Sequence, residues 1–414
     1  MAILKPFRGI RPPPALAASV AAPPYDVLSS AQARVLAAGN PHSFLHINKP
    51  EIDLEPALDP HDPSVYRQGA KNLKHFLAAG ILRQDETECY YIYRQLMGTH
   101  VQTGLMAVAA VDEYEQGLIK KHEFTRPDKE DDRVNHMDHL DAQVGPVFLT
   151  FRTDPDIAAL MASSTAAVPD YDFSDSDGVR HVLWVVSGAE RIAAIELAFR
   201  QVPCLYVADG HHRAAAATRL RRMRQALNPG HTGMEAYNYF LAVAFPHEQM
   251  QILAYNRVVK DLYGRTAEAF MQQLNEKFVL APAPAGQRCE PTEPGSFGMY
   301  LAGRWYRLQP RAGVVADSDP VASLDVSILQ DHVLSPLLGI GNPRTDTRIG
   351  FIGGVQSQQA LEQGVNSGEY AVAFACYPSS IENLLAIADA GDVMPPKSTW
   401  FEPKLKSGLV LHLL

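Results

Sequence analysis

The stretch that most constrains the fold is Cys204-Leu205-Tyr206-Val207-Ala208-Asp209-Gly210-His211-His212-Arg213, continued by Ala214 to Ala217. Its apolar, partly β-branched start reads as a buried strand. Asp209-Gly210 is turn chemistry, and Asp209 also suits a helix cap. Ala214 to Leu227 is rich in helix formers. The first helical turn then holds His211, His212 and Arg213, at the end of the helix dipole that favours acids. Sequences tend to break a local rule at functional sites. A bound anion restores the balance, because backbone amides, dipole and Arg213 all converge on it. The plain alternative is a solvated turn with a core histidine.

The chain has 414 residues, 46% hydrophobic and 20% charged, enough for one large domain or two. Its net charge is −9 and it has no Lys/Arg block, so it lacks the electrostatic footprint of a general nucleic-acid binder. Cys89, Cys204, Cys289 and Cys376 are far apart and form no C-x-x-C, which suggests reduced thiols in a cytoplasmic protein. Met1 to Pro6 reads as neither signal peptide nor anchor, and no apolar run approaches the ~18 residues of a membrane span.

Strands and helices alternate, so the expected class is α+β. A Pro/Gly loop around Asn228-Pro229-Gly230 suggests two halves, 1–235 and 236–414. Leu118 to Phe124 reads as a strand feeding a helix, with Thr125 and Asp128 as a capping box and Pro127 in the first turn. Caps do not explain His122 and Glu123, and Glu123 is a candidate general base. Lys129 and Arg133 fall on one helical face. His136 and His139 have metal-ligand spacing but no third ligand, so they read as core or surface histidines.

Tyr25 and Asp26 follow two prolines, in a segment that suits a loop staple and a pocket wall equally. Tyr255-Asn256-Arg257 sits on a strand. Pro395-Pro396-Lys397-Ser398-Thr399 is a stiffened loop with one cation and two hydroxyls, an inventory for phosphate or carboxylate; the alternative is an ordinary loop. There is no G-x-x-x-x-G-K-[ST], G-x-G-x-x-G or G-x-S-x-G.

These motifs together resemble a widespread prokaryotic family of unknown function often labelled ParB-like. The resemblance implies a ParB/sulfiredoxin-like mixed α/β core with a second α/β half packed against it. It also implies a remote similarity to free-serine kinases. Carried over, Asp209, Gly210, His211, His212 and Arg213 form a phosphate-binding turn and Glu123 is the acid/base. Ala214 departs from the pattern, standing where an aromatic commonly follows.

The expected function is phosphoryl transfer on a small polar metabolite, serine or phosphoserine, with ATP or ADP as the nucleotide. In that reading Asp209 holds Mg²⁺, and His211 or His212 donates to phosphate. Thr125, Lys129, Arg133, Lys397, Ser398 and Thr399 complete the phosphate site, and Tyr25, Asp26, Asn256 and Arg257 wall a pocket between the halves. The rivals are a ParB-like DNA-binding regulator, a metal-dependent hydrolase using His122, Asp209 and His211, and a non-catalytic sensor of a phosphorylated metabolite. The expected partner is a small molecule rather than nucleic acid or membrane, and a homodimer stays open.

Overall fold

In the computed structural model, residues 3–315, 319–355 and 357–414 are described. The chain is a mixed α/β protein that forms two compact units. Unit 1 is Met1–Lys121, Thr125–Met250 and Pro403–Leu414; unit 2 is His122–Phe124 and Gln251–Glu402. The loop at 228–230 lies inside unit 1, downstream of that unit's longest helix.

Unit 1 is built on a nine-stranded sheet. In chain order its strands are β1 (Leu4–Lys5), β2 (Tyr90–Met97), β3 (His100–Ala110), β4 (Ile119–Lys120) and β5 (Val147–Phe151), then β6 (Tyr171–Ser174), β7 (Arg180–Val186), β8 (Leu205–Asp209) and β9 (Tyr239–Pro246). Their spatial order is β4-β8-β5-β9-β3-β2-β7-β6, with β1 on β3. Alternate residues such as Leu105, Ala107, Ala109, Val147 and Leu149 face one core, as the two-residue period of a strand requires. Helices α1 (Ser30–Ala37), α2 (Pro63–Ala78), α3 (Val111–Glu115), α4 (Pro127–Leu140), α5 (Pro155–Ser164), α6 (Ala189–Phe199) and α7 (His211–Leu227) surround it. Ile157, Met161, Ile195 and Phe199 of α5 and α6 cover that face, joined by Ala214 and Ala217 of α7.

Ala214 is fully buried. A small side chain there lets α7 lie close to the sheet, and an aromatic would have to displace core. The C-terminal segment belongs to unit 1: Leu411 N donates to Ile10 O at 2.8 Å, and Ala22 bridges to Ser407.

Local chemistry explains several boundaries. Ser29 caps α1 through a reciprocal box with Gln32. The expected strand Leu118 to Phe124 shrinks to β4, because only Ile119 and Lys120 find partners, Leu205 and Tyr206. Thr125 is not the cap of α4. That position is Arg126, without a side-chain cap; the Thr125 hydroxyl donates to Glu130 at 2.5 Å, and Asp128 pairs with Arg126. Asp209 is not the cap of α7 either, a place taken by Gly210 at φ 92°.

Unit 2 carries a six-stranded antiparallel sheet. Its elements in chain order are β10 (Gln251–Leu253), β11 (Tyr255–Val259), α8 (Ala267–Leu274), β12 (Phe278–Pro282), β13 (Phe297–Leu301) and β14 (Arg304–Pro310). Then follow α9 (Asp325–Leu329), β15 (Ile349–Gly353), α10 (Ser357–Asn366), β16 (Val372–Cys376), α11 (Ile381–Ala390) and β17 (Trp400–Glu402). The sheet order is β12-β14-β13-β16-β11-β15, and β10 pairs separately with β17. Thr266 caps α8, and Ala302-Gly303 turns the β13–β14 hairpin with both residues at positive φ, as the sequence suggests.

Candidate functional site

In unit 1 the turn after β8 is the focus. The pairing of β8 with β5 shifts register between Val207 and Asp209, an irregularity common beside functional sites. Gly210 then takes the left-handed conformation that glycine adopts at little cost, and α7 begins with no acid in its first turn.

Asp209 accepts from Gly210 N at 2.8 Å through one oxygen and from Lys404 Nζ at 3.1 Å through the other. Burial opposes its charge, but Lys404 and Arg213 outweigh that and hold its carboxyl well below the usual carboxylate range. His211 is buried, while His212 is half-buried and its Nε2 accepts from Arg126 N at 3.1 Å.

The Arg213 side chain is 11% exposed. Its Nη1 donates to Pro146 O at 2.7 Å and its Nη2 pairs with Asp26 at 3.2 Å. Its buried Nε has no hydrogen-bond partner among the described residues. A Cβ added at Gly145 would stand 3.7 Å from that Nε and from Ser407 Oγ, so glycine keeps this space open. Tyr25 receives two guanidinium groups: Arg133 lies 3.6 Å and Arg213 5.5 Å from its ring centroid.

Arg133 is held by Asp132 at 2.5 Å, and Asp132 also accepts from Tyr66 OH at 2.9 Å. Burial disfavours the Asp132 charge, yet Arg133 and Tyr66 bring its pKa down to about 2. Tyr25, Asn48, Arg133, His136, Gly145 and Arg213 line a cavity of about 30 Å³. That volume takes one or two waters and not a nucleotide.

Of the expected site residues, unit 1 thus brings together Tyr25, Asp26, Arg133, Asp209, Gly210 and Arg213. Lys129 is exposed on α4, and Thr125 is committed to Glu130. His136 is buried with its Nε2 at 3.0 Å from Ile47 O, and His139 Nδ1 lies 2.8 Å from Asn135 O, so both read as structural histidines. Sequence reasoning assigned no role to Lys404, and it placed Asp26 only as wall. Their partners lie 195 and 187 residues away, beyond any local signal.

The remaining expected residues lie in unit 2. His122 is buried; its carbonyl accepts from Met394 N at 2.8 Å and its Nε2 lies 3.4 Å from Thr399 Oγ1. Glu123 is half-buried. Asn256 is fully buried and its Oδ1 accepts from Cys376 N at 3.0 Å, a sheet-internal role. Ser398 is buried and donates to Pro395 O at 2.6 Å, while Lys397 is exposed. Arg257 is 3% exposed beneath the same loop.

These observations define a mixed α/β protein with a basic strand–turn–helix site. The model for "Protein of unknown function (DUF1015)" matches residues 4–327, and the chain belongs to that family. This overturns the ParB-like assignment suggested by the motifs. Several solved structures also resemble the chain.

They include a free serine kinase in complex with AMP, at 12% identity and TM-score 0.37, covering 74% of this chain and 92% of that one. Another is C-terminally truncated SbnI from Staphylococcus aureus, at 12% identity and TM-score 0.38, covering 74% and 87%. A third is a conserved hypothetical protein from Pyrococcus furiosus, at 11% identity and TM-score 0.35, covering 74% and 95%. Likeness at this level carries no argument about the site. No curated protein matches the chain.

Proposed function

We propose that the chain is a phosphoryl-transfer enzyme acting on a small polar metabolite of the serine or phosphoserine kind, with the nucleotide phosphates resting on the Asp209–Arg213 turn. The observation that carries this reading is the start of α7. A left-handed glycine opens a helix whose first turn holds no acid, beside an Arg213 Nε left without a hydrogen-bond partner among the described residues. Phosphoryl transfer asks mainly for positioning and charge neutralisation. Amides at a helix start, with Arg213 and Lys404, supply both.

The phosphate chain rests on the turn, and the nucleoside lies outside the 30 Å³ cavity. Asp26 and Asp209 hold the two cations in place. Asp209 does not fit the Mg²⁺ role, because its free oxygen already holds an ammonium, a neighbour a divalent cation would repel. Any magnesium in this reading arrives on the nucleotide. Glu123 is assigned removal of the hydroxyl proton from the acceptor.

The test is a thermal-shift titration with AMP, ADP and ATP, with and without Mg²⁺, followed by phosphorus NMR of mixtures with serine or phosphoserine. A ligand that binds the folded state raises Tm. Arg213→Ala is expected to lose the nucleotide response, and Glu123→Gln to keep it while losing turnover at least a hundredfold. An undiminished nucleotide response in Arg213→Ala removes the turn from the reading. Full turnover in Glu123→Gln removes the base.

A further inference from the structure

Arg257 of unit 2 stands apart from the well-buried arginines of unit 1. Arg133 and Arg213 are each held by an aspartate, Asp132 and Asp26. Arg257, 3% exposed on β11, makes no ion pair with a carboxylate among the described residues. Its Nη1 donates to Tyr255 O and its Nη2 to Pro396 O at 3.4 Å, both neutral. The Phe351 ring centroid lies 5.5 Å from its guanidinium, and the Cys376 thiol also touches it.

Asp325 acts electrostatically on that thiol, but its own oxygens accept from Gly295 N at 2.7 Å and Tyr377 N at 3.4 Å. A buried charge without a counter-charge is unfavourable. Burial accordingly pulls the Arg257 pKa down. The guanidinium is hydrogen-bonded, yet its charge is unmatched.

A second cation stands nearby. Lys397 takes a left-handed backbone at φ 59°, unusual for a residue with a side chain. Its loop is pinned by Ser398 Oγ on Pro395 O at 2.6 Å and by Ser379 Oγ on Ser398 O at 3.2 Å. In that conformation Lys397 Nζ lies 5.6 Å from the Tyr255 ring centroid. Tyr255 and Arg257, two apart on one strand, project from the same face of β11. Tyr255 packs edge-on against Phe351 and Trp400, at 6.0 and 5.1 Å. Lys397 therefore lies over the ring of the residue whose carbonyl accepts from Arg257.

We propose that unit 2 carries an oxyanion site of its own, in which Arg257, with Lys397 beside it, receives the carboxylate or phosphate of a small ligand. The Pro396 carbonyl sits on Arg257 at a length that is poor for a charged donor. A ligand oxygen bearing full charge displaces it at small cost. The site does not rest on the phosphoryl-transfer reading, since every residue in it belongs to unit 2.

Isothermal titration of the full-length protein with sodium phosphate and, separately, sodium acetate tests it, with chloride at matched ionic strength as reference. Saturable binding of at least one anion is expected. Phosphate alone would mark a phosphorylated ligand and acetate alone a carboxylate. Lys397→Ala, an exposed position that leaves the core untouched, should weaken this binding at least fivefold. Arg257→Lys, which keeps the charge but loses the planar fork, should weaken it further. Arg213→Ala should leave it in place, so this site and the turn at Asp209 fail separately. The proposal is overturned if neither anion binds saturably, or if the Lys397→Ala and Arg257→Lys isotherms superimpose on that of the unaltered protein.

Discussion

At Asp209 two needs meet in one carboxylate. One oxygen closes the turn on Gly210 N, and the other holds Lys404. The turn itself depends on Gly210, whose φ of 92° is open to glycine and costs other residues about 1–2 kcal/mol. An added Cβ would also stand 3.4 Å from Val147 Cα, at the start of β5. Gly210→Ala is therefore expected to destabilise the protein by about 1–2 kcal/mol, read as a lower urea midpoint by circular dichroism. An unchanged midpoint would mean that residue 210 does not hold the left-handed conformation. The glycine was legible in the sequence because a strand-to-helix turn demands one. The balance around Arg213 was not. The positive charge that Arg213 brings to the first turn of α7 is met from within, by Asp26, while its Nε is left without a hydrogen-bond partner among the described residues.

The helix that carries this turn is anchored by ion pairs along its length. Arg219 reaches Glu130 and Asp131 of α4, Arg224 reaches Asp138 and Asp141, and Arg221 reaches Asp112 and Glu115 of α3. Beneath them Ala216 and Leu220 pack against Val134 and Met137. Exposure decides which pairs matter. Arg221 is 13% exposed and also donates to Asn238 at 2.9 Å, whereas Arg222 is 69% exposed on Glu115. Exposed pairs contribute little and desolvated, multiply bonded ones more. Arg221→Ala should cost about 1–3 kcal/mol in urea unfolding, and Arg222→Ala should leave the curve unmoved. Equal losses would contradict this ranking. The sequence showed β8, its turn and α7, the β13–β14 hairpin and the caps at Ser29 and Thr266, because each follows from neighbours a few residues apart. It misread Leu118 to Phe124, where apolar alternation is strand-like but only Ile119 and Lys120 find a strand to pair with.

Across the whole molecule, the return of Pro403–Leu414 to unit 1 and the grouping of His122–Phe124 with unit 2 were hidden, since such pairings leave no periodicity in the sequence. Buried groups in each unit also pull the pH dependence in opposite senses. In unit 1, burial lowers His136 and His412 to about 4 each. A histidine depressed on folding adds stability that is whole above its unfolded pKa, about 6.5. That stability drains away as pH falls towards 4. In unit 2, burial raises Asp325 to about 6, against only two backbone donors. Charging it costs stability as pH rises from about 4 to 6, so acidification relieves Asp325 as it strains His136 and His412.

Trp184 lies in unit 1, and Trp305 and Trp400 in unit 2, so a Trp305→Phe/Trp400→Phe variant reports on unit 1 alone. Its Trp184 fluorescence should show the urea midpoint falling between pH 6.5 and 4. His136→Gln should reduce that fall, while Asp325→Asn should leave it intact. A midpoint independent of pH over this range would show that His136 and His412 are not held neutral in the fold.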